Sequence, residues 1–262
     1  MPVDTLSLAG KVAIVTGSGR ENGIGAAIAV ALARNGASVT INYVSDSVTD
    51  RAHAVASRIM ADGGHAVVVQ TTIDTPEGAH YLAQETLKAF NTDHIDILIN
   101  NAGVGFAANT LAISPEQVTK TLDVNIKGPI LVAQAVVPYM PPGGRIVNTS
   151  SIASKLGDAN IPTYGASKAA LDSLAWSWAK EWGRSKGITV NVVAPGPVTT
   201  DIVKFVPTDM VKAIQQPSID MTRAADRVGT PEDIADAVLL LVSEKARWIT
   251  GQYISVSGGI TN

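Results

Sequence analysis

Short apolar runs with a β-strand composition alternate with longer helical patterns along the whole chain. The first run, KVAIVT, is rich in Val and Ile, and a helical pattern follows it at residues 25–35. Several runs are apolar at successive positions, which is typical of parallel strands buried on both faces. The predicted strands are residues 11–16, 38–43, 66–71, 95–100, 145–149, 189–194 and 253–256. The predicted helices are residues 25–35, 48–61, 76–90, about 115–139, 164–185 and 231–242. This order predicts an α/β fold, a doubly wound sheet of about seven parallel strands with helices on both faces.

The predicted elements follow one another without a linker or a repeat, which indicates a single domain over residues 1–262. The longest irregular stretch, residues 195–227, is too long for a simple connection, and we expect it to form a substrate loop. The N-terminus lacks an apolar signal segment, and no run is long and apolar enough for a membrane helix. We therefore expect a cytoplasmic protein with no membrane partner.

The composition excludes several kinds of chemistry. Lys and Arg number 20 against 23 Asp and Glu, so there is no basic surplus to bind a nucleic acid. The chain has no cysteine, and its four histidines form no HxxxH or HExxH pair, so we expect no metal site. Any chemistry therefore depends on hydroxyls, lysines, carboxylates or a cofactor.

A glycine-rich turn connects the first predicted strand to the first helix. It reads Thr-Gly-Ser-Gly-Arg-Glu-Asn-Gly-Ile-Gly from Thr16 to Gly25. Glycines let the backbone approach a pyrophosphate, and a helix N-terminus offers free N–H groups to it. The turn therefore predicts a dinucleotide site, although a tight strand–helix turn with ordinary glycines is the alternative interpretation.

The end of the second predicted strand distinguishes between two nicotinamide cofactors. An enzyme that uses NAD usually has an acidic residue there, which binds the ribose 2′-hydroxyl. This strand ends in Tyr43-Val44-Ser45, and the first acid is Asp46. Arg20 in the glycine-rich turn supplies positive charge for a 2′-phosphate, unless it is an ordinary solvated arginine. These residues favour NADP(H) over NAD(H).

Tyr164 and Lys168 are separated by four positions at the start of a predicted helix, so both lie on one face. An ammonium near a phenol favours the phenolate, so we expect Lys168 to lower the pKa of Tyr164 from about 10. A tyrosine tuned in this way can exchange a proton near neutral pH. A plain amphipathic helix face is the alternative interpretation of this pair.

These motifs occur in an order that resembles the short-chain dehydrogenase/reductase family, in its ketoreductase-like core branch. The resemblance extends from the first strand to Gly259 and implies a Rossmann-type fold. The motifs that carry it are Thr16-Gly17 with Gly23-Ile24-Gly25, the NNAG run at residues 100–103, Asn125, Ser151, Tyr164-x-x-x-Lys168, Pro195-Gly196 with Thr200, and Gly258-Gly259.

The resemblance implies a catalytic role for each of four residues. Tyr164 is expected to be the general acid in carbonyl reduction, or the base in alcohol oxidation. Lys168 is expected to tune that tyrosine and hold the nicotinamide ribose, and Ser151 to bind the substrate carbonyl oxygen. Asn125 is expected to hold a proton-relaying water. The implied cofactor-binding residues are Gly17, Ser18, Gly19, Arg20, Gly23, Ile24, Tyr43, Ser45, Asp74, Thr75, Asn101, Ala102, Gly103, Tyr164, Lys168, Pro195, Gly196, Val198 and Thr200.

The glycine-rich turn departs from the family pattern, in which three residues separate the first glycine from Gly-x-Gly. Here five residues lie between Gly17 and Gly23. Either Thr16-Gly17 keeps its role beside a two-residue insertion, which we prefer, or Ser18-Gly19 replaces it. The divergent enoyl-reductase branch also has longer loops, but it separates its tyrosine and lysine by six residues rather than three.

The sequence therefore predicts an NADP(H)-dependent reductase of a small carbonyl compound, or a dehydrogenase of the corresponding secondary alcohol. The loops expected to select the substrate, residues 104–110, 153–163 and 200–227, are mostly apolar or small, so we expect a hydrophobic substrate. The alternative is an NADP(H)-binding scaffold, sensor or biosynthetic partner whose main role is not redox. The resemblance further implies a homo-oligomer, either a tetramer or a dimer.

Overall fold

The computed structural model describes residues 5–199 and 215–261. Seven strands form one parallel sheet in the order β3-β2-β1-β4-β5-β6-β7. The chain builds one side of the sheet from β1 to β3 and then crosses to β4, so the strand order reverses between β1 and β4. The strands are β1 Val12–Val15, β2 Ser38–Tyr43, β3 His65–Gln70, β4 Ile97–Asn100, β5 Arg145–Thr149, β6 Thr189–Pro195 and β7 Tyr253–Val256.

Eight α-helices have both ends among the described residues, and they connect or flank these strands. They are α1 Ile24–Arg34, α2 Thr49–Ala61, α3 Pro76–Ala89, α4 Pro115–Leu122, α5 Gly128–Val136, α6 Ala153–Leu156, α7 Pro162–Lys186 and α8 Pro231–Val242. Ser114 and Gln117 form the capping box that the Ser-Pro-Glu-Gln sequence predicts. None of the described helices is long and apolar enough to cross a membrane.

Both faces of the sheet are covered by helices, as predicted. Along β1, Ala13 and Val15 pack into the core beneath α1, α2 and α8, whereas Val12 and Ile14 pack into the core beneath α3, α5 and α7. The alternation of side chains across a strand explains why β1 is apolar at every position. The chain is therefore an α/β protein with a doubly wound parallel sheet.

One predicted helix is wrong in detail. The helix expected over residues 115–139 is α4, a π-helical turn at Asp123–Lys127, α5 and a 3-10 turn at Val137–Tyr139. Pro129 lies within this stretch and has no N–H, so the bond to the carbonyl four residues earlier, on Asn125, is missing. The interruption therefore coincides with a predicted catalytic residue, as π turns often do.

Candidate active site

The loops after β1 and β4 are joined at the point where the strand order reverses. The Thr16 hydroxyl accepts hydrogen bonds from the backbone N–H groups of Asn101 and Ala102, each at 3.0 Å. The Asn101 side chain donates to the carbonyls of Thr16 and Gly17 at 2.9 and 3.1 Å. Gly17 has φ +63°, and a Cβ there would lie 2.8 Å from the Ala102 Cα. These contacts hold a glycine-lined cradle at the carboxyl edge of the sheet.

Ser18 and Gly19 face the sheet interior. The buried Ser18 hydroxyl donates to the Val15 carbonyl at 2.7 Å and accepts from the Asn42 N–H at 3.2 Å. Gly19 lies against Tyr43: a Cβ added at Gly19 would lie 2.8 Å from the Cβ of Tyr43. This arrangement supports the register in which Thr16-Gly17 keeps its place and the extra residues extend the loop. The Ser18 side chain is used within the fold.

The N-terminus of α1 offers free backbone donors. Gly23 is its N-cap residue and provides no side-chain cap, and no acid lies in the first turn. Its own N–H donates to the carbonyl of Arg20 at 2.8 Å, and Arg20 is exposed. Free N–H groups at the positive end of a helix dipole suit a phosphate. Gly17, Gly23 and this helix end therefore fit the pyrophosphate of a dinucleotide.

The two predicted residues at the end of β2 have different environments. The Tyr43 side chain is buried, and its hydroxyl lies 3.0 Å from Thr49 Oγ1 and 3.1 Å from Gln70 Oε1. Ser45 is exposed, with its hydroxyl 2.8 Å from that of Ser47. Only Ser45 of this pair presents its side chain at the surface of the loop.

Asp74 and Thr75 lie four and five residues beyond the end of β3, rather than directly at its end. Burial raises the pKa of Asp74, but hydrogen bonds from Thr72 and Lys120 outweigh it, and the net pKa is lowered. The Thr75 hydroxyl caps α3 by accepting from the Gly78 N–H at 3.1 Å. Both side chains are therefore engaged within the protein beside the predicted adenine site.

Ser151, Tyr164 and Lys168 line one cavity of about 510 Å³. The Lys168 ammonium is buried, donates to the Thr149 carbonyl at 2.8 Å and lies 5.7 Å from the centre of the Tyr164 ring. Ser151 follows β5 and accepts a hydrogen bond from the Ala153 N–H at 3.1 Å. The cavity is lined by Ile24, Asn101, Gly103, Val104, Gly105, Phe106, Ala107, Thr149, Ser150, Ser151, Ile161, Tyr164, Lys168, Pro195, Gly196 and Val198.

The expected lowering of the Tyr164 pKa is wrong for the protein as described. Burial raises the pKa of Tyr164, and the opposing interaction with Ser151 is smaller. Burial also lowers the pKa of Lys168 to about 8, although the charge of Asp172 acts in the opposite direction. Removal from water disfavours both charged forms. The Tyr164 phenol is therefore protonated at neutral pH, and the pKa of Lys168 lies close to neutral pH.

Asn125 lies in the π turn, and both polar atoms of its side chain form hydrogen bonds. Its Oδ1 accepts from the Val104 N–H at 2.8 Å, and its Nδ2 donates to the Val104 carbonyl at 2.8 Å and to Ser167 Oγ at 2.9 Å. A Cβ at Gly103 would lie 3.1 Å from the Lys168 ammonium and 3.4 Å from Asn125 Oδ1. Asn125 therefore holds the loop after β4 against the helix that carries Lys168.

Three residues outside the predicted set also build the site. Thr16 connects the two loops, and Ser167 connects Asn125 to the helix that carries Tyr164. Gly165 allows α6 to approach α7, because a Cβ there would lie 2.8 Å from the Ala153 carbonyl oxygen. Sequence reasoning could have found two of these residues, because Thr16 adjoins Gly17 and Ser167 adjoins Lys168 in the predicted motifs. Thr200 and part of the predicted substrate loop, residues 200–214, lie outside the described residues.

A family model described as enoyl-(acyl carrier protein) reductase matches residues 17–261. The short-chain dehydrogenase/reductase FrzI of Cladobotryum sp is 41% identical over 256 residues, which cover 97% of both chains. This chain belongs to the short-chain dehydrogenase/reductase family.

Two further members of the family are similar over nearly their full length. Versicolorin reductase 1 of Aspergillus parasiticus is 37% identical over 264 residues, 98% of each chain. The crystal structure of the angucycline C-6 ketoreductase LanV with bound NADP is 36% identical and has a TM-score of 0.88, over 97% of this chain and 96% of LanV. The predicted family and fold are confirmed.

Proposed function

We propose that this protein is an NADP(H)-dependent carbonyl reductase that acts on a small hydrophobic ketone, and that it can oxidise the corresponding secondary alcohol. One observation carries the proposal. A serine, a partly buried tyrosine and a buried lysine line a single cavity that adjoins the glycine-lined cradle. Paired hydroxyls beside a nucleotide cradle are suited to reduction of a carbonyl group.

Three observations support NADP(H) as the cofactor. No acidic residue occupies Tyr43, Val44 or Ser45, so no carboxylate at the end of β2 would repel a 2′-phosphate. The exposed Arg20 lies in the loop beside this end of the sheet. The related ketoreductase LanV was crystallised with NADP.

The proposed chemistry assigns one task to each side chain. The cofactor, when bound, supplies the hydride. Tyr164 donates its proton to the carbonyl oxygen, and its raised pKa keeps that proton available at neutral pH. Ser151 donates a hydrogen bond to the same oxygen and stabilises the charge that develops there. Lys168 binds the cofactor ribose, and its pKa of about 8 suits it to return a proton towards Tyr164.

The main chain of Asn125 offers an acceptor for the predicted relay water. Its side-chain amide uses both hydrogens on Val104 and Ser167. Its main-chain carbonyl lacks the usual α-helical donor, because that donor would be Pro129. We propose that this carbonyl holds the water that the family resemblance implies.

The cavity walls support a hydrophobic substrate. Val104, Phe106 and Ile161 line the side of the cavity beside Tyr164, and Lys168 is its only cationic lining residue among those described. The Tyr164–Lys168 spacing further favours a ketone over the enoyl thioester named in the family model's description. Two relatives are named as reductases of versicolorin and of an angucycline ketone. Because the cavity walls are apolar, we propose cyclic or aromatic ketones as the first substrates to test.

The decisive experiment compares Tyr164→Phe with the wild type on such ketones, with NADPH consumption followed by absorbance. Loss of the general acid is expected to reduce turnover about 10²- to 10⁴-fold while the Kd for NADPH changes little. Tyr139→Phe is a matched control, because the Tyr139 hydroxyl contacts Gln84 and does not line the cavity.

Wild-type-like turnover by Tyr164→Phe would show that the assignment is wrong. NADPH binding by the wild type without turnover on a broad set of ketones and alcohols would favour the scaffold or sensor alternative.

We also propose that the chain acts as a single domain within a homo-oligomer, a dimer or a tetramer. Large side chains supporting an interface are exposed on the described surface: Trp176 at 53%, Leu240 at 54% and Trp248 at 96%. Tryptophan is enriched at protein interfaces. Size-exclusion chromatography with light scattering tests this proposal. The cytoplasmic location stays a prediction.

A further inference from the structure

A cluster of polar residues, several with buried polar atoms, lies beyond Lys168, and its members do not line the cavity. It consists of Ser154 and Lys155 on α6, Asp172 on α7 and Tyr253 on β7. Both Asp172 carboxylate oxygens are buried and form no hydrogen bond with the described residues, and the Tyr253 and Ser154 hydroxyls are buried too. A buried carboxylate without hydrogen-bond donors depends on nearby positive charge for its stability.

Two lysines supply that charge from different sides. Lys168 precedes Asp172 by four residues on α7, so the two side chains share one face of the helix, one turn apart. The Lys155 ammonium lies 3.7 Å from Asp172 Oδ2 and 5.0 Å from the centre of the Tyr253 ring. The Asp172 side chain is 10% exposed, whereas that of Lys155 is 52% exposed.

The groups that face Asp172 differ in how strongly water screens them. Lys168 is fully enclosed, so the charge of Asp172 acts on it through protein rather than solvent, and it raises the pKa of Lys168 against the effect of burial. Burial raises the pKa of Tyr253, interactions with Ser154 and Thr261 lower it, and the charge of Asp172 raises it; the net pKa is raised, so this phenol stays neutral. Lys155 is half exposed, so water screens its interaction with Asp172 more strongly.

We infer that Asp172 is a positioning residue whose carboxylate keeps the Lys168 ammonium charged for cofactor binding and proton transfer. Lys155, on α6, moderates this effect, because its positive charge offsets part of the negative field that Asp172 exerts on Lys168. The inference rests on the role proposed for Lys168 above. Asp172 touches neither the cavity nor the reacting atoms, so it acts through the lysine alone.

The arrangement predicts opposite effects for two substitutions. Asp172→Asn removes the negative charge, so the titration of Lys168 should move to lower pH. Lys155→Met removes the opposing positive charge, so the same titration should move to higher pH. Glu181→Gln is a matched control, since Glu181 is an exposed acid farther along the same helix. A purely structural role for the cluster would destabilise the protein without producing this reversal of sign.

The experiment measures the Kd for NADPH by nicotinamide fluorescence between pH 7 and 9.5, with no ketone present. In the wild type the affinity should weaken as Lys168 loses its proton, with a midpoint near pH 8. Asp172→Asn should lower the midpoint by about one pH unit, and Asp172→Glu should restore it. Lys155→Met should raise it by about half a unit, and Glu181→Gln should leave it unchanged.

The pH dependence of kcat/KM for ketone reduction should shift in the same directions. A folded Asp172→Asn variant with an unchanged midpoint would overturn the inference, as would shifts of the same sign in Asp172→Asn and Lys155→Met. If Asp172→Asn does not fold, Lys155→Met decides: an upward shift supports the inference, and no shift or a downward shift overturns it. Because binding is measured without a ketone, failure of the wild type to reduce ketones would overturn the proposed function separately.

Discussion

Gly17→Ala should destabilise the protein and weaken cofactor binding, because two separate penalties coincide at this position. Gly17 has φ +63°, and a Cβ there would lie 2.8 Å from the Ala102 Cα and 3.0 Å from its Cβ. Gly63 provides a matched control. It has φ +83°, but nothing lies within 4 Å of the Cβ that alanine would add.

The two variants separate backbone strain from steric overlap. A left-handed conformation costs a residue with a Cβ about 1–2 kcal/mol, and this term applies to both variants. Overpacking against a fixed neighbour adds about 1–3 kcal/mol, and this term applies to Gly17→Ala alone. The free energy of unfolding should therefore fall by about 2–5 kcal/mol for Gly17→Ala, the sum of both terms, and by about 1–2 kcal/mol for Gly63→Ala.

Urea unfolding at a fixed protein concentration measures both differences, since an oligomer's stability depends on concentration. Relief of the overlap would push Ala102 away and disturb the hydrogen bonds that Thr16 receives from the loop after β4. The Kd for NADPH should therefore increase at least tenfold in Gly17→Ala and stay unchanged in Gly63→Ala. Equal losses of stability in the two variants, within about 0.5 kcal/mol, would refute the steric argument.

Two other substitutions test the site and the fold. Gly105→Ala should reduce kcat at least tenfold with little effect on the Kd for NADPH, because its Cβ would lie 2.8 Å from Tyr164 Cδ2 and displace the ring; steady-state kinetics and fluorescence titration measure the two effects. The hydrogen bonds from Arg227 hold the pKa of Asp233 at about 2, below its ordinary 3.8. The stability that this carboxylate contributes is therefore present above pH 3.8 and is lost as the pH falls towards 2. Asp233→Asn should therefore lower the Tm at pH 7 by an amount that disappears near pH 2, and a difference that is constant with pH would contradict this explanation.

The parts of the fold that sequence predicts best are those that local chemistry decides. Strand β7 and helix α8 have the predicted bounds, because β-branched and aromatic residues identify the strand and a Pro at the first helical turn identifies the helix. The capping box at Ser114 and Gln117 likewise needs only four residues. Such signals require no knowledge of what lies across the sheet.

Contacts between distant segments were not predictable in the same way. Asn125 is held by both backbone groups of Val104, which is 21 residues away in the chain. Tyr43 stays a predicted cofactor-binding residue, but its contacts were not predictable: its Cβ lies against Gly19, and its hydroxyl reaches Gln70 on the neighbouring strand. Periodicity assigns a residue to a strand end, but the neighbouring elements decide which contacts and hydrogen bonds its side chain forms.

The protonation of Tyr164 shows why spacing alone gave the wrong sign. The four-residue spacing does bring Lys168 near the ring, but the ammonium is bonded to the Thr149 carbonyl and lies 5.7 Å from the ring centre. Burial then has the largest effect on the pKa of each group, since each charged form loses its hydration. The result is a neutral phenol beside a lysine with a pKa of about 8. A neutral phenol can donate a proton to a carbonyl oxygen, which is the role that the proposed function gives to Tyr164.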